Sequence, residues 1–177
     1  TAGFSLYGFA YGVAEARLHY REERTEEFSQ VPMHDDGAHG DGEASDGLFA
    51  AEVPPFEQGQ KVLFYVVARD AASAERFYPA DAPAATLLYQ IDRRSFSQAH
   101  VYRVALSLPD TRTLKARPVL SNDLLKGTFV FDNEEVYYNV GVRYRGSPWV
   151  RHNESRGYRV RLEKDRPFHG WRKLNLD

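Results

Sequence analysis

No cysteine occurs among the 177 residues, which excludes disulfide staples and thiolate metal centres and leaves the redox compartment open. No stretch approaches the ~18 to 20 consecutive apolar residues that cross a bilayer as a helix. The opening residues, Thr1 to Ser5, bring neither an initiator Met nor a basic leader segment, so the chain is expected to be a soluble piece excised from a longer protein. G-x-S-x-G, Walker and H-E-x-x-H patterns are all missing, and Ser, His and Asp are scattered without a nucleophile elbow. Hydrolase chemistry therefore has no support.

What is present points to packed β-structure. Hydrophobic residues make up 42% and aromatics 14% of the chain, and Val, Tyr and Phe carry much of that share. The net charge of -2 conceals a split. Residues 1–95 hold 8 Lys/Arg against 16 Asp/Glu, and residues 96–177 hold 15 against 9, giving -8 and +6. Two units with different partners follow, the second suited to an anionic ligand such as a nucleotide.

Along the first half, Ala14, Ala16, Leu18 and Tyr20 alternate with Glu15, Arg17 and His19 as in a half-buried strand. Phe28–Met33 and Leu48–Val53 repeat the signal on either side of an Asp/Gly-rich loop. Lys61–Arg69 is nearly continuous Val, Leu, Phe and Tyr, the composition of a strand buried on both faces. Leu87–Ile91 closes the set, and the boundary is expected at 95/96. Short strands at even spacing without an amphipathic helix predict a small sandwich.

In the second half His100–Leu108 reads as a strand, and Pro109-Asp110 as the start of a short helix through Lys115 with Asp at the cap. Asp132-Asn133 supplies the turn of a hairpin between Gly127–Phe131 and Glu135–Arg145. Strict alternation puts Val136, Tyr138, Val140, Val142 and Tyr144 on one face and Tyr137, Asn139, Gly141, Arg143 and Arg145 on the other. If Tyr158–Leu162 pairs antiparallel with that arm, Arg143, Arg145, Arg159 and Arg161 line one sheet face. Such a face requires an anionic partner or open water, with Glu135, Glu163 and Asp165 as nearby neutralisers.

Two segments resemble known families. Met33-His34-Asp35-Asp36-Gly37-Ala38-His39-Gly40-Asp41-Gly42 through Ser45-Asp46-Gly47-Leu48-Phe49, followed by Phe64-Tyr65-Val66-Val67-Ala68-Arg69-Asp70, is similar to the Asp/Gly loop and following strand of Ig-like domains in secreted bacterial proteins. Val140–Ser147, then Arg156–Leu162, then Phe168-His169-Gly170 with Leu174-Asn175-Leu176, resembles the opening of a CotH kinase domain, the spore coat protein H-like atypical kinases. The fold class is accordingly mostly β: an Ig-like β-sandwich over 1–95 followed by an incomplete, β-rich N-lobe of a CotH-like kinase over 96–177.

The resemblance implies ATP and Mg²⁺ as cofactors in the full-length parent, a protein substrate phosphorylated on Ser, the rest of the CotH-like domain as partner, and an extracellular or cell-envelope bacterial location. It implies a phosphate-binding role for Arg143, Arg145, Gly146, Ser147 and Arg156, since phosphoryl transfer depends on positioning and on neutralising charge. Arg156 and Gly157 stand where the family has Lys and Ser. No catalytic residue is assigned, because the family's carboxylates are expected beyond Asp177. The alternative reading is a non-catalytic cell-surface adhesion or binding module.

Asp35, Asp36, Asp41 and Asp46 offer oxygen ligands for Ca²⁺, though not at EF-hand spacing. His34 and His39 beside them lack the helical or ribbon context of zinc motifs. Tyr137, Tyr144, Trp149 and Tyr158 read as core aromatics, and neither a nucleic-acid partner nor membrane insertion is expected. Asn153-Glu154-Ser155 fits a glycosylation acceptor.

Overall fold

The structure is a computed structural model that describes residues 3–6, 12–94, 99–152 and 156–177. The predicted boundary at 95/96 and the Asn153-Glu154-Ser155 tripeptide lie outside those residues. The chain divides into two compact units, Thr1–Leu87 and Leu88–Asp177.

The first unit begins with β1 (Gly3–Leu6), β2 (Val13–Glu22), β3 (Ser29–Met33) and β4 (Phe49–Glu52). It continues with β5 (Lys61–Asp70), β6 (Glu75–Tyr78) and β7 (Leu87–Gln90), in which the unit boundary falls. One sheet runs β3-β2-β5-β6, and β1 pairs with β4 in a second, two-stranded sheet. The β2 alternation buries Ala16, Leu18 and Tyr20 while Arg17 stays exposed. In β5 the five residues Val62–Val66 are all buried, as the continuous apolar run requires. Strand β6 has no counterpart among the predicted strands. Its four residues are all exposed, so it pairs through its backbone on β5 and leaves no alternating apolar trace.

The second unit contains β8 (Tyr102–Leu106), α1 (Leu108–Ala116), β9 (Leu125–Phe131) and β10 (Glu135–Tyr144), then α2 (Pro148–Arg151), β11 (Tyr158–Arg161) and β12 (Lys173–Leu176). Its strands form one antiparallel sheet in the order β12-β11-β10-β9-β8. The hairpin turn is as expected: Asp132 and Asn133 carry φ of 50° and 63°, the left-handed values that Asp and Asn tolerate.

Three expectations need correcting. Trp149, expected in the core, is 86% exposed. The cap of α1 is Ser107, not Asp110. Ser107 Oγ accepts the Asp110 amide at 3.0 Å and donates to Asp110 Oδ2 at 2.7 Å, so the serine is the N-cap and Asp110, at N3, is its side-chain partner. The strict alternation of β10 also fails, because its register on β9 shifts between Tyr137 and Val140 and Asn139 takes φ 55°. The extra residue reverses facing upstream of the bulge. Tyr137 is therefore buried with Val140, Val142 and Tyr144, while Val136 and Tyr138 are only half-buried.

The core of this unit gathers Leu114, Phe129, Tyr137, Val140, Val142, Val160, Leu162 and Phe168. Phe129, Val142 and Val160 are each 0% exposed, which at ~25 cal/mol per Å² is worth about 1.5–3 kcal/mol apiece. Phe168 packs edge-on against Phe129 at 5.3 Å and Phe131 at 5.1 Å. A tight turn closes behind it, with Trp171 N donating to Phe168 O at 2.7 Å and Gly170 at φ 85°. The Phe-x-Gly pattern thus serves to anchor β12.

Candidate functional site

The predicted β10–β11 pairing is present, with Arg143 opposite Arg159 and Gly141 opposite Arg161. Strand β12 extends the same face, placing Asn175 beside Arg159 and Lys173 beside Arg161. Arg159 Nε donates to Asn175 Oδ1 at 3.0 Å, and Arg143 Nη1 to the Tyr144 carbonyl at 2.8 Å. Both contacts are to neutral acceptors.

Part of this face is covered by the segment after α1. A Cβ on Gly141 would meet Leu124 Cδ1 at 2.8 Å, so glycine is what lets that segment lie against the sheet. Arg151 of α2 pins it there. Its guanidinium, buried at 6% exposure, donates from Nε to Gly146 O (2.9 Å), from Nη1 to Ser121 O (3.2 Å) and from Nη2 to Asn122 Oδ1 (2.9 Å). Arg117, at the end of α1, donates through Nη1 to Asp123 O at 2.8 Å, but its Nη2 is buried without an acceptor.

Arg117, Arg143, Arg151 and Arg159 therefore form one partly buried group of guanidinium ions. Among the described residues, none of the four has a carboxylate partner. Burial, and after it the charges of Arg151, Arg159 and Arg117, lowers Arg143 from its ordinary value. Arrays of uncompensated guanidinium with an orphaned buried N–H suit a polyvalent oxyanion, which accepts several charge-assisted hydrogen bonds at once.

Sequence reasoning located Arg143 and the facing of Arg159 but not Arg117 or Arg151. Neither lies on a strand, so no alternation marks them; the basic balance of residues 96–177 was the only signal. The remaining candidates are distributed differently. Arg145 hydrogen-bonds to Gly157 O through its amide (3.0 Å) and ion-pairs with Asp177. Gly146 has φ 97°, and a Cβ there would meet Val150 at 2.8 Å, so α2 folding back already accounts for that glycine. Ser147 precedes α2 without making a side-chain cap bond. Arg156 lies 5.0 Å over the Tyr144 ring, on the core-facing side of the sheet and away from Arg143. Gly157 is required by β12, since a Cβ would meet Leu176 O at 2.5 Å.

A second polar cluster was not visible in the sequence. Tyr137 Oη donates to Glu135 Oε2 at 2.6 Å, His169 Nε2 lies 2.9 Å from Glu135 Oε1, and Arg166 sits 5.1 Å over the Tyr137 ring. Burial, reinforced by Glu135, pushes the Tyr137 phenol up to about 12. It exists because the β10 bulge turns Tyr137 inward.

The first unit is marked out by its sheets and by its Asp-rich loop. Residues 12–75 match the family model of the second Ig-like domain of conditioned medium factor. That stretch is Ig-like. The match spans about a third of the chain and concerns the first unit alone. No curated protein matches the chain. An Ig-like β-sandwich is compatible with a binding or accessory module, although fold alone does not assign the ligand. Among the described residues no helix is long and apolar enough to cross a membrane.

In the Ig-like unit the four predicted metal-binding aspartates are engaged with loop amides. Asp41, 1% exposed, accepts from the amides of Asp36, Gly37 (2.9 Å) and His39 (2.9 Å). Asp35 accepts from Asp46 (3.1 Å) and Gly47 (3.0 Å), and Asp46 from Glu43 (3.0 Å) and Leu48 (2.8 Å). Asp36 accepts from Ala38 N and His39 Nδ1, both at 2.9 Å. Hydrogen bonding to the Gly37 amide first, and to the other amides after it, holds the Asp41 carboxyl below its usual range. The aspartates thus act as the loop's own fasteners.

Proposed function

We propose that the second unit is the phosphate-binding sheet of a CotH-like kinase N-lobe and that the Ig-like unit is its accessory module. The observation that carries this reading is the group Arg117, Arg143, Arg151 and Arg159, without a carboxylate among the described residues and with Arg117 Nη2 buried and unmatched. The triphosphate of MgATP presents an array of oxygens that such donors fit. The order of sequence elements resembling that family, from the β10 end through β11 to the Phe168-to-Leu176 segment, supports the nucleotide as the source of those phosphates. ATP, Mg²⁺, a protein substrate and an extracellular or envelope location are parts of the same proposal.

The experiment is calorimetric titration of the chain with MgATP, pyrophosphate and inorganic phosphate at low and high salt. Salt-sensitive binding that strengthens from phosphate to pyrophosphate to MgATP supports the kinase reading. Binding of pyrophosphate equal to that of MgATP would leave an oxyanion site without nucleotide selectivity, and no binding would refute the proposal. A second reading, a non-catalytic binding module, is favoured by Arg156. The residue standing at the family's Lys position packs on Tyr144, away from Arg143.

A further inference from the structure

His34, Asp36 and His39 belong to a stretch whose spacing fits no zinc motif, yet folding brings them together. His34 lies at the end of the β3 segment, bridged by its backbone to Ala50, with N···O distances of 2.8 Å in both directions. The loop then turns through Gly37 at φ 73°, between the two histidines, and His39 comes to lie on His34. The two imidazole rings stack with centroids 4.3 Å apart and planes 18° from parallel. The Asp36 carboxylate completes the group, and one donor atom from each of the three residues falls within 4.8 Å of the others.

We infer that His34, Asp36 and His39 form a binding site for a divalent transition ion of the Zn²⁺ type on the Ig-like unit. Two imidazole nitrogens and one carboxylate suit zinc and its neighbours, whereas Ca²⁺ and Mg²⁺ take oxygen donors. Bonds of ~2.0–2.2 Å to zinc place tetrahedral donors ~3.4 Å apart, so donors within 4.8 Å of one another must close in, and the two rings must turn out of their stack, and His39 out of its hydrogen bond to Asp36, for their in-plane lone pairs to meet on one ion. The buried Asp41 carboxylate fixes the amides of Asp36, Gly37 and His39, so the segment bearing two of the three ligands is ordered before the ion arrives. All three side chains retain some exposure, which leaves an entry path and room for water as a further ligand.

The test is calorimetric titration of the whole chain with Zn²⁺ and, separately, Ca²⁺, together with NMR of the histidine imidazole nitrogens. One Zn²⁺ per chain is expected, with the His34 and His39 signals shifting and Ca²⁺ producing no heat. His34→Gln and His39→Gln should each weaken Zn²⁺ at least tenfold. His100→Gln and His169→Gln, which remove the other histidines seen beside carboxylates, should not. The NMR readout on the unsubstituted protein holds even if a loop variant fails to fold. Shifts confined to other histidines, binding indifferent to both loop substitutions, absence of Zn²⁺ binding, or Ca²⁺ binding of equal strength would each overturn the inference.

Discussion

Arg143 and Arg159 stand directly opposite one another on β10 and β11, and among the described residues neither has a carboxylate to answer its charge. Like charges in register across a sheet destabilise it, and nothing in the packing of Val142 and Val160 on the other face demands them. Arg159→Gln should therefore keep or slightly raise the stability of the second unit at low salt. The unsubstituted chain should gain more in melting temperature from added pyrophosphate than this variant does, by linkage to the occupied state. Calorimetric melting with and without pyrophosphate checks both; an equal gain would remove the pair from the site.

Asn139 makes the β10 bulge, so its substitution reports on the facing of Tyr137. A β-branched residue at φ 55° is strained by about 1–2 kcal/mol. Asn139→Val should lower unfolding free energy by that order in urea, whereas Asn139→Gly should largely retain it because glycine accepts positive φ. A valine variant as stable as the parent would contradict the bulge.

Phe129 is fully enclosed and touches the rings of Tyr102, Tyr137 and Phe168. Phe129→Ala should cost about 3–5 kcal/mol through lost burial and a residual cavity. Hydrogen exchange of the β9 amides, followed across a urea series, reads the loss in this unit.

The Asp41 carboxyl titrates below its usual range in the folded loop because amides bind its charged form. A depressed folded value means that this stabilisation is present above the unfolded carboxylate pKa, ~3.9, and fades as pH falls through the lower folded value. Hydrogen exchange at the Asp36, Gly37 and His39 amides should remain protected at pH 5 and weaken only in stronger acid. Asp41→Ala should expose the same amides at neutral pH. Unchanged protection in that variant would show that another group orders the loop.

The parts of this fold that the sequence displays are those with uninterrupted periodicity. The Ala16-Leu18-Tyr20 alternation, the apolar run of β5, the Asp132-Asn133 turn and the Arg143–Arg159 register all follow from period-two facing. What escapes has a physical reason in each case. Strand β6 buries no side chain, and one residue in a left-handed conformation reverses Tyr137, Tyr138 and Val136 without changing composition. The α1 cap moved by three positions because a Ser-x-x-Asp pair competes with Asp alone. Arg117 and Arg151 reach the sheet from outside it, through the turn after α1 and through α2, so strand periodicity could not point to them. The gathering of His34, Asp36 and His39 likewise depends on the left-handed turn at Gly37 rather than on any fixed spacing.

The account stands most directly on where the phosphates bind. MgATP affinity should be measured by titration for the parent chain beside Arg117→Gln, Arg143→Gln and Arg156→Gln. The account predicts at least tenfold weaker binding, about 1.4 kcal/mol, for Arg117→Gln and Arg143→Gln, with Arg156→Gln close to the parent. Binding that depends on Arg156 and ignores Arg117 and Arg143 would contradict it.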